Sequence, residues 1–351
     1  MEILSCSDND IKKAAAALAA GALVAFPTET VYGLGADAFN PAALAKVFEA
    51  KNRPRFDPLI IHIAETGALG RIVDTSSISS AAEKRLKLLS EKFWPGPLTL
   101  VLPKRKELPD LATAGLSAAA VRFPSHPVAQ KLILLSTGAV AAPSANPFGC
   151  LSPTRASHVK EQLGEKVEYI IDGGKTQVGI ESTVLDISGE TVRILRPGGI
   201  SREAIEAVIG KVELATGALH ETPAAMLSPG QLKNHYAPLT PLVLHRNGEL
   251  AALPYVPDEG RLYFSRRSRG ASCISRPEKD SGFDSVGAEQ KNSRVLSQDG
   301  DLCEAAANLF DLLHELDSLG LKLIRAEEAP GHGLGLAIND RLRRGSKDRI
   351  G

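Results

Sequence analysis

Residues 26–63, FPTETVYGLGADAFNPAALAKVFEAKNRPRFDPLIIHI, decide the fold. They read as strand, loop, helix, loop, strand. The apolar run 23–26 is stopped by Pro27, which lacks the N–H that a sheet ladder needs. Asn40 and Pro41 start a helix, because Asn caps free N–H groups and Pro fits the first turn. Leu44, Val47 and Phe48 then recur at helical spacing. Pro54 bars continuation, and residues 59–63 read as a buried strand. The joints 27–30 and 51–55 are polar where the elements are greasy, and open α/β sheets hold ligands at such strand-end joints.

Working outward, the pattern predicts an N-terminal helix capped near Ser7 or Asp8 and stopped at Gly21. Further helices are expected over 80–93, 126–136 and 201–208, with strands over 98–102, 118–123, 139–142 and 167–171. Residues 182–187 and 191–195 form a predicted hairpin about Ser188-Gly189-Glu190. Periodicity fades after Lys211, and LSPGQLKNHYAPLTP has the composition of a linker. A second unit follows, with a strand over 261–264, a helix over 302–319 and a strand over 321–324. That helix carries an apolar stripe of Leu302, Ala306, Leu309, Phe310, Leu313 and Leu316. The polar segment 265–301 shows no assignable period. The division is therefore 1–210, a linker or lid at 211–241, and 242–351.

The chain has 351 residues, more than the roughly 100–200 of a usual domain. Its 41 Lys+Arg balance 41 Asp+Glu, which argues against a protein whose main work is coating nucleic acid. Cys6, Cys150, Cys273 and Cys303 are far apart and read as free thiols of a reducing compartment. Lys12-Lys13 and the apolar run after them look like a signal peptide, but Glu2, Asp8 and Asp10 make the leader acidic. The run is also shorter than the roughly 18 residues of a membrane span. The expectation is a cytoplasmic protein with no membrane attachment.

Three glycine signals fail as nucleotide motifs. After Gly33-Leu34-Gly35 the third position of G-x-G-x-x-G is Ala38. For Gly174-Lys175-Thr176 the first P-loop glycine would fall at Tyr169. Gly331, Gly333 and Gly335 have no fitting strand before them. No G-x-S-x-G marks a hydrolase nucleophile, and PSAN at 143–146 alone reads as a turn. Lys51, Arg53, Arg122 and Arg196, by contrast, all fall at or beside strand ends of one domain. If those ends share one edge, they form a cationic pocket lined by Thr30, Ser144, Asn146, Ser152 and Ser182. Such a pocket suits a polyphosphate with a small carboxylate, since guanidinium groups grip both oxyanions in a fork.

PTETVYGL, KNRP with DPL and a strand histidine, WPGPLTLVL, VRFP, APSAN, DGG, ESTVLD and LRPG together resemble the YrdC-like domain. SPGQLKNHYAP and GLGLAINDRL are similar to the two-domain threonylcarbamoyl-AMP synthase family. The resemblance implies a twisted open mixed α/β sheet with a concave site, then a smaller Rossmann-like α/β domain. It also implies L-threonylcarbamoyladenylate synthesis: L-threonine, bicarbonate and ATP give threonylcarbamoyl-AMP and pyrophosphate. The product would pass to a downstream tRNA threonylcarbamoyl transferase complex that modifies the base beside the anticodon, and weak tRNA binding is a further expectation. By the same resemblance Thr30, His62, Arg122, Ala142 (through its backbone) and Ser182 contact threonine. Lys51 and Arg53 are the catalytic cations facing the phosphates. Arg53, Asp57, Ala118, Ser144, Asn146, Ser152, Arg196 and Tyr236 hold ATP, and Mg²⁺ arrives with the nucleotide. Two other classes compete: an RNA-binding module using the concave surface without chemistry, and a carbamoyl-transfer domain like those inside hydrogenase-maturation proteins.

Overall fold

The computed structural model describes residues 1–215, 236–268 and 291–346, which divide into two units. The first comprises Met1–Phe148 and Ser152–Lys233, and the second comprises Gly149–Leu151 and Asn234–Gly351. The expected lid falls largely on 216–235 and part of the unassigned polar segment on 269–290, both outside the described residues.

Strands of the first unit are β1 (Glu2–Leu4), β2 (Val24–Phe26), β3 (Gly33–Asp37), β4 (Ile60–Ile63), β5 (Leu98–Pro103) and β6 (Ala118–Arg122). They continue with β7 (Ala139–Ala141), β8 (Tyr169–Ile171), β9 (Thr183–Asp186), β10 (Arg193–Arg196) and β11 (Glu213–Leu214). Its helices are α1 (Asp8–Ala19), α2 (Pro41–Lys51), α3 (Ser80–Phe93), α4 (Asp110–Thr113), α5 (Pro127–Leu135), α6 (Ala156–Leu163) and α7 (Arg202–Ile209). Local chemistry sets their ends. Ser7 caps α1, and Asn40 Oδ1 accepts from the N–H groups of Ala42 and Ala43, with Pro41 at the first position of α2.

The sheet order is β1-β8-β2-β3-β7-β4-β6-β5-β9-β10-β11, with parallel and antiparallel pairs mixed. Period-two alternation gives its central strands two unlike faces. Ile61, Ile63, Leu100, Leu102, Val121 and Leu185 join the main core with Leu44, Val47 and Phe48 of α2, Leu89 of α3, Val159 of α6 and Ile205 of α7. On the opposite face, Val24, Phe26, Val140 and Ala142 pack under Leu18 of α1 and Val128 and Leu132 of α5. Farther along that second face lies a small cluster of Ile60, Val101, Ala120, Val184 and Leu195, contributed by strands alone.

One strand departs from the reading of residues 26–63. Gly33-Leu34-Gly35 is not a phosphate loop but the start of β3, paired antiparallel to β2 and β7. A Cβ on Gly35 would stand 2.8 Å from the Phe26 ring, so glycine here permits close strand packing.

The second unit holds a parallel sheet, β12 (Leu242–His245), β13 (Glu259–Ser265), β14 (Ser293–Ser297) and β15 (Leu323–Glu327), in the order β12-β15-β13-β14. Its helices lying wholly within the described residues include α8 (Leu302–Asp317) and α9 (Gly335–Gly345). The strand expected at 321–324 is thus displaced toward its C-terminal side. That strand precedes Gly331, Gly333 and Gly335, and the last of these opens α9.

Candidate active site

The half-face without a helix is where the polar motif residues gather. Its floor is Ile60, Val101, Ala120 and Val184, with the small Ala118 at its margin. One period along the strands, His62, Arg122 and Thr99 stand side by side: His62 pairs with Arg122 across β4 and β6, and Arg122 pairs with Thr99 across β6 and β5. Thr99 Oγ1 lies 2.7 Å from Ser182 Oγ, extending the polar row to the residue before β9.

Arg196 reaches this face through a register shift between Ile194 and Arg196 on β10. Ile194 sits in the main core, so strict alternation would send Arg196 there too. The bulge instead pairs it with Val184 of the floor. Its Nη2 donates to Ser182 O at 3.0 Å and Ser182 Oγ at 3.3 Å. Gly198 permits this closeness, because a Cβ there would fall 2.3 Å from Ser182 C.

Lys51 ends α2 and is 1% exposed. Its Nζ donates to Ser144 O at 2.5 Å and to Asn146 O, so the ammonium organises the PSAN turn. Arg53 pairs with Asp57 (Nη2–Oδ2 2.8 Å) and donates to the carbonyls of Asp57 and Pro58. Burial raises the pKa of the Asp57 carboxyl, while Arg53, Lys51 and Arg196 each act to lower it. Three of the four motif cations therefore share one electrostatic neighbourhood.

The strand ends that carry these groups do not share one edge. By register, Ser144, Asp57 and Ala118 lie at the entry end of β4 and β6, whereas Arg122, Ser182 and Arg196 lie at the exit end of β6. Loops close the gap. Residues 27–32 bring Glu29 to Arg122, with Oε1–Nη2 at 2.6 Å, and Glu29 Oε2 accepts from Ser125 N at 3.1 Å. Thr28 stiffens this loop, accepting from the N–H of Thr30 and Val31 and donating to Val31 O. Thr28 Oγ1 also lies 2.8 Å from Thr30 Oγ1. Ser152 donates to Glu181 and joins the remaining two loops.

His62 is 3% exposed, and burial, followed by the Arg122 charge, lowers its pKa to about 3. Its Nδ1 is 3.1 Å from Ile60 O. A carbonyl only accepts, so Nδ1 carries the proton and Nε2 presents a lone pair. Ala142 donates its N–H to Ile60 O, which leaves its carbonyl as the backbone group for a ligand. Tyr236 belongs to the second unit: its side chain is buried, 5.8 Å from the Phe310 ring and 5.2 Å from Arg341 Cζ.

Glu29, Glu181 and Thr99 were missed as site residues. Both acids stand inside quoted motifs, PTET and ESTVLD, yet the cationic reading passed over them. Acids face two of the four cations: Arg122 faces Glu29, and Arg53 faces Asp57.

A mixed α/β sheet whose strand-only cluster lies beside buried guanidinium groups defines a protein of the YrdC-like class. The Sua5/YciO/YrdC family model, described as telomere recombination, matches residues 16–198, and the threonylcarbamoyl-AMP synthase C-terminal domain model matches residues 200–346. The chain belongs to the two-domain branch of this family. It is 40% identical over 341 residues to a threonylcarbamoyl-AMP synthase of Pyrococcus abyssi, covering 97% of this chain and 95% of that one. It is also 40% identical to a Bacillus subtilis protein of the same name, covering 99% of this chain and 96% of the relative. The crystal structure of P. abyssi Sua5 complexed with L-threonine superposes with a TM-score of 0.84 at 37% identity, over 100% of both chains.

Proposed function

We infer that this protein is an L-threonylcarbamoyladenylate synthase, an enzyme that makes threonylcarbamoyl-AMP and pyrophosphate from L-threonine, bicarbonate and ATP. The observation that carries the reading is the polar row His62–Arg122–Thr99–Ser182 lying beside the Lys51–Arg53–Arg196 neighbourhood. One part suits a small amino acid and the other a polyphosphate.

Arg122 receives the threonine carboxylate, and Thr30 and Ser182 offer hydroxyls to the same substrate. His62, neutral at physiological pH, accepts a hydrogen bond at Nε2, and the Ala142 carbonyl accepts another. The amine nitrogen of threonine, having lost a proton, attacks the bicarbonate carbon, and hydroxide leaves to give the carbamate. A carbamate oxygen then attacks the α-phosphorus of ATP, and the bond to the β,γ-diphosphate breaks. No protein nucleophile takes part. Lys51 and Arg53 sit where charge on the transferring phosphoryl group is neutralised by fixed donors. Ser144, Asn146, Ser152, Arg196, Asp57 and Ala118 shape the nucleotide side.

Among the described residues no group of three or more His, Cys, Asp or Glu side chains could hold a metal. Mg²⁺ would come with ATP and supply neutralisation of the phosphate charge. Among those residues no helix is long and apolar enough to cross a membrane. The proposed work on tRNA precursors would be done in the cytoplasm. The product is a labile mixed anhydride, so it suits prompt consumption by a tRNA-modifying transferase complex.

The test is product identification by mass spectrometry with ¹³C-bicarbonate. A labelled threonylcarbamoyl-AMP is expected, whereas AMP joined to unmodified threonine would contradict the carbamate route.

A further inference from the structure

We propose that Glu29 is a positioning residue for the threonine carboxylate, acting through Arg122. This rests on the proposed function of the same site. A buried acid is an unexpected component of a pocket built for anions, since it repels the threonine carboxylate, bicarbonate and the phosphates of ATP. Glu29 is nonetheless 3% exposed and held from several sides. Its carbonyl accepts from Val178 N at 2.7 Å, its Oε2 from Ser125 N at 3.1 Å, and its Oε1 faces Arg122 Nη2 at 2.6 Å.

Along the same edge of the guanidinium as Nη2, Nε donates weakly to Gly96 O at 3.4 Å. Among the described residues no hydrogen bond occupies Nη1. The Glu29 carboxylate, in an ion pair rather than a hydrogen bond with Nη2, holds that edge of the fork by charge and leaves Nη1 for a ligand oxygen. A fork needs this restraint, because its value over a point charge lies in presenting planar donors in one orientation. The strut is also rigid at its base, where Thr28 and Thr30 tie the loop that carries Glu29. Glu29 touches neither reacting atom. Its effect on catalysis passes through where Arg122 points.

Two physical accounts of the pair predict opposite outcomes. If Glu29 merely tempers the Arg122 charge, its removal frees that charge and threonine binds more tightly. If it positions the fork, removal lets Arg122 turn toward other acceptors and threonine binds more weakly. Glu29→Gln keeps the size of the side chain and removes the charge. The experiment measures pyrophosphate release by the full chain, varying threonine and ATP separately.

Loss of a charge-assisted bond that orients the carboxylate is expected to raise the threonine KM by about ten-fold or more. The ATP KM is expected to stay within about two-fold, because Glu29 contacts nothing on the nucleotide side. Glu29→Asp, which restores the charge one methylene short, is expected to recover part of the loss. A threonine KM that is unchanged or lower in Glu29→Gln overturns the proposal, as does an equal rise for both substrates. Should Glu29→Gln fail to fold, Glu29→Asp alone decides: a threonine-selective rise supports positioning, and wild-type constants overturn it. Wild-type protein run alongside separates the two levels. If it shows no threonine-dependent release, the proposed function fails, whereas normal wild-type release with an insensitive variant sinks only the role of Glu29.

Discussion

Both units of this chain bury charge, and they use it differently. In the second unit, buried charges serve their own surroundings. Glu327 is fully buried and accepts from Phe264 N at 3.1 Å and Gly248 N at 3.2 Å, tying the end of β15 to β13 and to the turn after β12. Arg261 is spent on the carbonyls of Leu250, Leu253 and Pro254. In the first unit, buried charges gather about the strand-only cluster and the loops beside it. Lys51 holds the PSAN turn, and Glu29 holds Arg122. Burial of a charge is therefore no sign of a site by itself. What sets the first unit's group apart is that several buried charges gather beside one strand-only apolar cluster.

The largest expected effect comes from cutting into the first kind. Lys51→Met and Arg53→Gln should each lower turnover by on the order of 10²–10³-fold, the usual cost of losing a preorganised donor to developing negative charge. Steady-state pyrophosphate release checks this, and wild-type turnover in either variant would erase the distinction between the units.

His62 sharpens the comparison through pH. Its folded pKa of about 3 lies below the ordinary 6.5, so the unfolded chain binds a proton that the folded one refuses. Stability from this group is complete above pH 6.5 and falls as pH drops toward 3, by up to about 1.4 kcal/mol per pH unit. Urea melts of wild type and His62→Asn between pH 7 and pH 4 should show a shallower acid limb in the variant. Parallel limbs would mean that His62 is not buried as a neutral ring.

Glu327→Gln tests the second kind. A donor would then face a backbone N–H, costing about 1–3 kcal/mol of stability. Both substrate KM values should match wild type. A threonine-selective change would mean that the second unit also carries part of the site. Smallest is Asn40→Ala, which removes the cap of α2 and should cost about 1 kcal/mol. Chemical denaturation reads it, and a loss of turnover out of proportion to stability would show that the cap also sets Lys51.

What was legible in the sequence follows from how locally it was encoded. The caps at Ser7 and Asn40 and the bounds of α3 (Ser80–Phe93) rest on neighbouring residues and match the structure. Strand β3 was missed because glycines carry weak strand preference, and their use here depends on Phe26 and Val140, distant in sequence or across a turn. Strand β14 and helix α6 were missed as well. The cations were legible as a set, but their meeting was expected along one edge. The bulge that turns Arg196 and the loop that carries Glu29 to Arg122 are long-range features with no local signature. Glu29 itself was in plain view within PTET, and an anion site gave no reason to want it.

The most direct measurement is pyrophosphate release from ATP with threonine and bicarbonate each supplied or withheld. The account predicts release only when both are present, with Lys51→Met nearly silent under the same conditions. Release from ATP alone, unaffected by threonine or bicarbonate, would contradict it and leave a nucleotide hydrolase in its place.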